Sequence, residues 1–154
     1  MDDGDREIIE HFTRTREKTK ELLRRVPEEW LTRTPDGDRY ILSHLFLHAG
    51  CGEAWWMHAV MQDGGPENYN YPGDKNSMLD RMEAARQRVV SFFEADNGKR
   101  MGHIFSWADE DGKKSEWTGR DRVHYFTDHE IHHRGKIVLA LRQWGLDDFP
   151  YIPY

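Results

Sequence analysis

The sequence predicts an all-α protein, a four-helix bundle with a short β-hairpin or irregular insert before the last helix. Apolar residues recur at three- and four-residue steps in four long stretches, which is the period of an amphipathic helix. The segments between these stretches contain Pro and Gly turn signals, and such connections are typical of a bundle. A chain of 154 residues can bury one core, so residues 1–154 are predicted to form a single domain.

Charge and composition limit the partners of the chain. The net charge is −6, which argues against nucleic acid or an anionic membrane as the partner. No run approaches the ~20 apolar residues of a membrane span. The acidic first residues are unlike a signal peptide, and the single cysteine, Cys51, fits a reducing cytoplasm. We therefore expect a cytoplasmic protein that acts on a small molecule.

The first two helices are predicted from periodicity and from their start and stop signals. The first covers residues 5–26; Asp2 or Asp5 is positioned to cap its start, and Pro27 ends it. The second covers about 40–61 and is apolar on two faces. A helix of this kind is buried between neighbouring elements.

The third helix is predicted over residues 77–94, after a long polar loop at 63–76. Asn76 or Ser77 is positioned as its N-cap. The helix is amphipathic and offers no metal ligand, so its apolar face is interpreted as ordinary packing.

The fourth helix, about 119–144, follows a segment at 98–120 that is predicted to contain a short hairpin around Gly112. Gly145 is positioned as the helix C-cap. The helix also has a second apolar face, formed by Ile131, Val138 and Leu141. We expect another helix or a second subunit to cover that face.

Three histidines fall within five positions of the fourth helix: His129, His132 and His133. His129 and His133 are spaced i, i+4, which places them on one helix face one turn apart. Because neutral imidazole is a common ligand of zinc-like cations, this pair predicts part of a metal site. Packing of a chance pair is the alternative, since the chain has nine histidines. A third ligand elsewhere in the chain would favour a metal site over packing.

Residues 129–133 also match the HExxH motif of zinc proteases, with Glu130 as the glutamate. We reject this interpretation because such proteases take their third ligand from downstream. No histidine or glutamate follows His133. The third ligand is therefore expected upstream.

The second helix can supply that ligand, because ligands in a bundle project inward from facing helices. It contains His44, His48 and His58, and the residues alone leave these as alternatives. For His44, a core histidine bonded to a backbone carbonyl is an equally good interpretation. Catalytic zinc sites use three protein ligands and leave one position for water or substrate.

Three segments of the chain bear on its family. Residues 26–31 (VPEEWL) form the exit of the first helix, and residues 48–56 (HAGCGEAWW) contain a histidine, a glutamate five residues later and then aromatics. Residues 129–137 (HEIHHRGKI) are followed by LRQWG at 141–145. Together these segments, over nearly the whole chain, resemble the DinB-like family, which includes metal-dependent thiol transferases. Lys136 replaces the glutamine of the family's H-x3-H-R-G-Q block.

The resemblance implies a four-helix bundle, usually dimeric, in which three histidines hold a divalent metal. Carried over to this chain, the ligands are His48, His129 and His133. Family members bind nickel, zinc or similar ions, and manganese and iron also accept imidazole. Characterised relatives transfer low-molecular-weight thiols such as bacillithiol or mycothiol, or isomerise a substrate with a thiol cofactor. A divalent metal, a low-molecular-weight thiol and a homodimer are therefore expected.

The leading functional hypothesis is a metal-dependent enzyme that transfers a low-molecular-weight thiol to an electrophile through a metal-bound thiolate. A metal-dependent hydrolase that uses a metal-bound water is one alternative. A non-catalytic metal-binding stress-response module is another, and a bundle with packed histidines and no metal is the third.

Other polar residues near the predicted site are expected to have outer or packing roles. His44, His132 and Glu130 are expected as outer hydrogen-bonding partners or as an extra ligand. Glu130 is also placed to pair with Arg134, one turn later. Cys51 lies off the His48 face and is interpreted as a small core residue rather than a nucleophile.

Overall fold

Helices dominate the computed structural model, which describes residues 1–60, 69–108 and 111–147. The helices are α1 (Asp3–Arg25), α2 (Leu42–Ala59), α3 (Lys75–Glu94) and α4 (Gly119–Gln143). Strands β1 (Ile104–Ala108) and β2 (Lys114–Thr118) pair antiparallel directly before α4. The predicted helical bundle with a hairpin before the last helix is confirmed. Met61, residues 63–68 of the predicted loop at 63–76 and the hairpin residues 109–110 lie outside the described residues.

Capping side chains set the start of α1 and α3. The carboxylate of Asp2 accepts the backbone N–H of Asp5 at 2.8 Å, as predicted. In α3 the cap is Asp74, whose Oδ1 accepts the backbone N–H of Ser77 at 2.8 Å. The prediction of Asn76 or Ser77 as this cap was wrong, because an Asp three residues before a free backbone N–H satisfies it better.

A capping box joins the hairpin to α4. The Thr118 hydroxyl accepts the N–H of Asp121 at 3.2 Å, and the Asp121 carboxylate accepts the N–H of Thr118 at 2.9 Å. Because Thr118 is also the last residue of β2, the hairpin is held against the start of α4. At the other end, Gly145 has φ +88, a left-handed conformation that suits glycine after a helix.

Helix α2 packs against both α3 and α4, while α1 packs against α3 and α4. The core contains fully buried Phe12, Phe46 and Phe93, and Cys51 is buried within it as expected. At Gly50 a Cβ would lie 2.6 Å from the side chain of Met82, so glycine permits the close approach of α2 and α3.

The second apolar face of α4 is partly covered within the chain. Leu141 is fully buried, and Val138 packs against the core from a half-buried position. Leu139, beside this face, is 60% exposed. None of the helices in the described part of the chain is both long and apolar enough to cross a membrane.

Candidate metal centre

Three histidines from two helices meet in the structure: His48 of α2 with His129 and His133 of α4. We call them the histidine trio. One nitrogen from each ring can be chosen so that all three lie within 4.8 Å of one another. The ring centroids are 4.4 to 4.9 Å apart. In residues 1–60, 69–108 and 111–147, no other three His, Cys, Asp or Glu side chains meet so closely.

The absence of a side chain at Gly52 lets the two helices bring these rings together. Gly52 lies one turn after His48 on α2. A Cβ at this position would lie 3.1 Å from Cε1 of His129 and 3.6 Å from its Nδ1. The His129 ring therefore lies directly against the α2 backbone, beside His48.

The trio fits a divalent cation. Two nitrogens bound to one ion at about 2.0–2.1 Å with a tetrahedral angle lie about 3.3 Å apart, and Nε2 of His48 is 3.2 Å from Nε2 of His129. Nδ1 of His133 is buried and has no hydrogen-bond partner among the described residues. A set of imidazole donors suits zinc, nickel, iron or manganese better than calcium or magnesium.

Electrostatics keep the trio in the neutral form that binds metals. Burial, followed by the nearby His129 and His44, lowers the pKa of His48 to about 4. Burial, followed by His129 and His48, lowers the pKa of His133 to about 3. The pKa of His129 is also lowered by burial, against the opposing effect of Glu130. At neutral pH all three rings therefore offer a free lone pair.

The other predicted histidines lie around the trio. His44 stacks on Tyr40, with ring centroids 4.1 Å apart, and its centroid is 6.4 Å from that of His48. His132 is exposed, with its ring 5.1 Å from that of His133. Both positions are compatible with the outer role expected of these residues, which stays a prediction.

Glu130 has other partners than the predicted Arg134. It is fully buried, and its carboxylate accepts hydrogen bonds from Arg16, at 2.9 Å from Nε, and from Arg86. Arg134 donates instead to the hydroxyl of Thr19 at 3.2 Å. Burial raises the pKa of Glu130, but Arg16 and Arg86 together outweigh burial and lower it. Two guanidinium groups therefore bind the carboxylate of Glu130, the residue expected as an outer partner or an extra metal ligand.

Glu53 completes a buried ion cluster, which we define as Arg16, Glu53, Arg86 and Glu130. Oε1 of Glu53 lies 2.8 Å from Nη2 of Arg16 and 3.2 Å from Nε of Arg86. Each helix contributes one member. Because Glu53 follows Gly52 and Glu130 follows His129, the cluster fixes α2 to α4 beside the trio.

Two cavities meet at the trio and share His48 and Tyr69. The first, which we call the aromatic cavity, has a volume of about 470 Å³ and reaches His129. Its walls are mainly aromatic: Trp55, Trp56, Tyr69, Trp107, Tyr125 and Phe126. The second, the polar cavity, has a volume of about 490 Å³ and reaches His133. Its charged and polar lining includes Asp38, Arg39, His44 and Lys136.

Arg122 and Trp107 are two of the cavity residues that sequence reasoning missed. Arg122 precedes His129 by seven residues, a helical spacing that places both near one face of α4, so periodicity was a usable signal. Trp107 reaches the cavity from β1 and lies 6.5 Å from Trp55, centroid to centroid. No local pattern identifies that contact, because it depends on how the hairpin is held against the bundle.

Fold and site together define a class: a helical-bundle protein with a candidate three-histidine metal centre between two helices. The model of the DinB family matches residues 1–151. The chain belongs to the DinB family, so the resemblance inferred from its sequence is confirmed.

A solved structure gives independent support for the fold. The chain is similar to a DinB-like protein from Bacillus cereus ATCC 10987, with a TM-score of 0.74 and 18% sequence identity. The match covers 93% of this chain and 94% of that protein. No protein with a curated description matches the chain.

Proposed function

We propose that the protein is a divalent-metal-dependent enzyme that transfers a low-molecular-weight thiol to an electrophile, with His48, His129 and His133 as the metal ligands. The main support is the pair of cavities that meet at the trio. A transfer reaction must hold two reactants in contact at one centre. Hydrolysis needs room for one reactant and a water, so two cavities of similar volume favour transfer.

The chemistry of the cavities assigns the reactants. The aromatic cavity suits an electrophile with an apolar body. The polar cavity presents Asp38, Arg39 and Lys136, charges of both signs that complement the ammonium and carboxylate groups of an amino-acid-like thiol. Tyr69, which lines both cavities, would contact both reactants.

A cation held by three neutral imidazoles supplies positive charge that lowers the pKa of a coordinated thiol or water. The chain keeps the three donors unprotonated and gathered, and its aromatic walls exclude water from the electrophile. In the transfer, the thiol S–H bond breaks and its proton passes to buffer. A bond forms from sulfur to the electrophilic carbon, and the leaving group departs with its bonding electrons. Zinc or nickel is the proposed metal, with manganese or iron as alternatives.

The test is turnover of 1-chloro-2,4-dinitrobenzene with a panel of low-molecular-weight thiols, using protein purified without a histidine tag. We expect turnover with at least one thiol, its loss after chelation and its return with zinc or nickel. His48→Ala should be inactive. His103→Ala, at an exposed position before β1, is the control and should retain full activity. Equal rates with and without metal would contradict the proposal.

Two other results would identify the alternatives. Metal-dependent turnover of a chromogenic ester without any thiol would point to a hydrolase. Stoichiometric metal with no exchangeable water and no turnover in either assay would point to a non-catalytic metal-binding module. Substoichiometric metal under metal-replete conditions would favour packed histidines.

The proposal also includes the homodimer implied by the family resemblance, a cytoplasmic location, and no role for nucleic acid or a membrane. Light scattering at micromolar concentration tests the dimer, and a monomer mass would overturn it. Fractionation of cells tests the location.

A further inference from the structure

Arg122 is a buried cation without an ionic partner among the described residues. Its side chain lines the aromatic cavity and the residue is only 8% exposed. Its Nε is buried and has no hydrogen-bond partner in the part of the chain that the structure describes. Because a buried charge is costly unless it is paired, an unpaired guanidinium in such a place calls for an explanation.

Among the described residues, aromatic rings rather than carboxylates surround this guanidinium. Its central carbon lies 4.3 Å from the ring centroid of Trp117, 5.2 Å from that of Trp56 and 5.3 Å from that of Tyr125. Cation–π contacts of this kind hold the group in place without neutralising its charge. Asp121, an adjacent acid, is engaged in the capping box with Thr118. The positive charge therefore remains available to a ligand.

Trp56 provides a second unpaired donor in the same cavity. The residue is 4% exposed, and its indole Nε1 is buried without a hydrogen-bond partner in residues 1–60, 69–108 and 111–147. An indole N–H can only donate, and a guanidinium can only donate. Two donors that line one cavity, one of them charged, suit an anionic ligand with two acceptor atoms.

We propose that Arg122 and Trp56 bind the carboxylate of an aromatic substrate in the aromatic cavity. A carboxylate offers one oxygen to each donor, and its single negative charge neutralises the single positive charge of Arg122. A dianionic phosphate would leave one charge uncompensated in an apolar cavity. The aromatic walls, which include Trp55 and Phe126, suit the ring of the ligand.

The position of Arg122 on α4 leaves room for that ring beside the trio. Seven residues separate Arg122 from His129, which corresponds to about 10 Å along the helix axis. An arylacetate anchored at Arg122 therefore has space to extend toward His129. This inference rests on the proposed function only in taking the bound molecule to be the electrophile; the binding itself does not require the metal.

The experiment is calorimetric titration of phenylacetate and its neutral analogue phenylacetamide into the metal-loaded and the chelator-treated protein. Arg122→Gln should weaken phenylacetate binding by about tenfold or more and leave phenylacetamide binding unchanged. Trp56→Phe should weaken phenylacetate in the same direction by less. Arg14→Gln, at an exposed arginine that lines neither cavity, is the matched control and should bind phenylacetate like the wild type.

The fold and the metal content of each variant are measured alongside. Circular dichroism and the thermal midpoint check folding. If Arg122→Gln does not fold, Arg122→Lys replaces it. This variant should still prefer phenylacetate over phenylacetamide, but by a smaller factor than the wild type. Equal phenylacetate affinity in the folded Arg122 variant and the wild type would overturn the inference. Phenylacetate binding that requires the metal and ignores Arg122 would also overturn it, because the anion would then lie on the cation.

Failure of this inference can be told apart from failure of the proposed function. Arg122-dependent preference for phenylacetate in a protein that binds no metal and transfers no thiol would support the inference and reject the proposed function. Thiol transfer with no preference for anionic over neutral ligands would reject the inference alone.

Discussion

Arg16 and Glu130 form an ion pair inside the bundle, with 2.9 Å between Nε and Oε1, although 114 residues separate them in the chain. Both side chains are fully buried. Burial opposes the charge of Arg16, but Glu130 and Glu53 raise its pKa above the usual value. The pair therefore stays ionised, and it links α1 to α4 at the residue that follows His129.

Removal of Glu130 should strongly destabilise the fold. Glu130→Ala leaves Arg16 and Arg86 buried with one carboxylate between them, and loss of one partner of a buried pair typically costs about 3–5 kcal/mol. The control is Glu10→Ala, which breaks an exposed pair with Arg14 and should cost at most about 1 kcal/mol. Urea unfolding of both variants measures the difference, and equal losses would contradict it.

Residue patterns predicted the helices and the pair on α4 because both depend on local spacing. The i, i+4 spacing of His129 and His133 needs only a regular helix to place them together. The choice of His48 over His44 came from the family resemblance, and the structure places His48, not His44, beside the pair.

The buried ion cluster could not be predicted from local patterns. Arg16, Glu53 and Arg86 are charged residues that binary patterning assigns to solvated faces. Their burial depends on partners from other helices, and sequence spacing gives no information on such pairs. The prediction that Glu130 pairs with Arg134 failed for the same reason, since the i, i+4 rule considers only neighbours on one helix.

Substitutions of His48 and His44 should separate a ligand from an outer residue. His48→Ala removes one of three donors, whereas His44→Ala removes a ring that stacks on Tyr40. Changes in outer residues typically reduce metal affinity by about 10–100-fold. We expect His48→Ala to reduce the metal affinity by more than this, and His44→Ala to reduce it by less than His48→Ala does. Competition with a chromophoric chelator measures both affinities. A reversed order would exclude His48 as the ligand.

Metal affinity should change little between pH 8 and pH 6. Protons compete with metal for imidazole, and the lowered pKa values of His48, about 4, and His133, about 3, weaken that competition. The pKa of His129 is lowered as well. Three histidines with an ordinary pKa of about 6.5 would together lose roughly 70-fold in affinity by pH 6.

A chelator titration at each pH, corrected for the proton affinity of the chelator, measures this dependence. The sign is fixed: a lower pKa shifts the loss of affinity to lower pH, so most of the loss should come as the pH approaches the pKa values of His48, about 4, and His133, about 3. A loss near 70-fold by pH 6 would indicate that the rings are solvated in the metal-free protein.

Gly52→Ala should weaken metal binding without removing any donor. Its Cβ would lie 3.1 Å from Cε1 of His129, so that ring must move by a few tenths of an ångström away from residue 52 of α2. We expect a loss of about tenfold in affinity, as for other changes that misorient a ligand. The matched control is Gly135→Ala on α4, where a Cβ meets nothing within 4 Å. Alanine there should stabilise the helix by about 1 kcal/mol and leave affinity unchanged. If Gly52→Ala binds metal as tightly as Gly135→Ala, the contact between α2 and the His129 ring does not position that ligand.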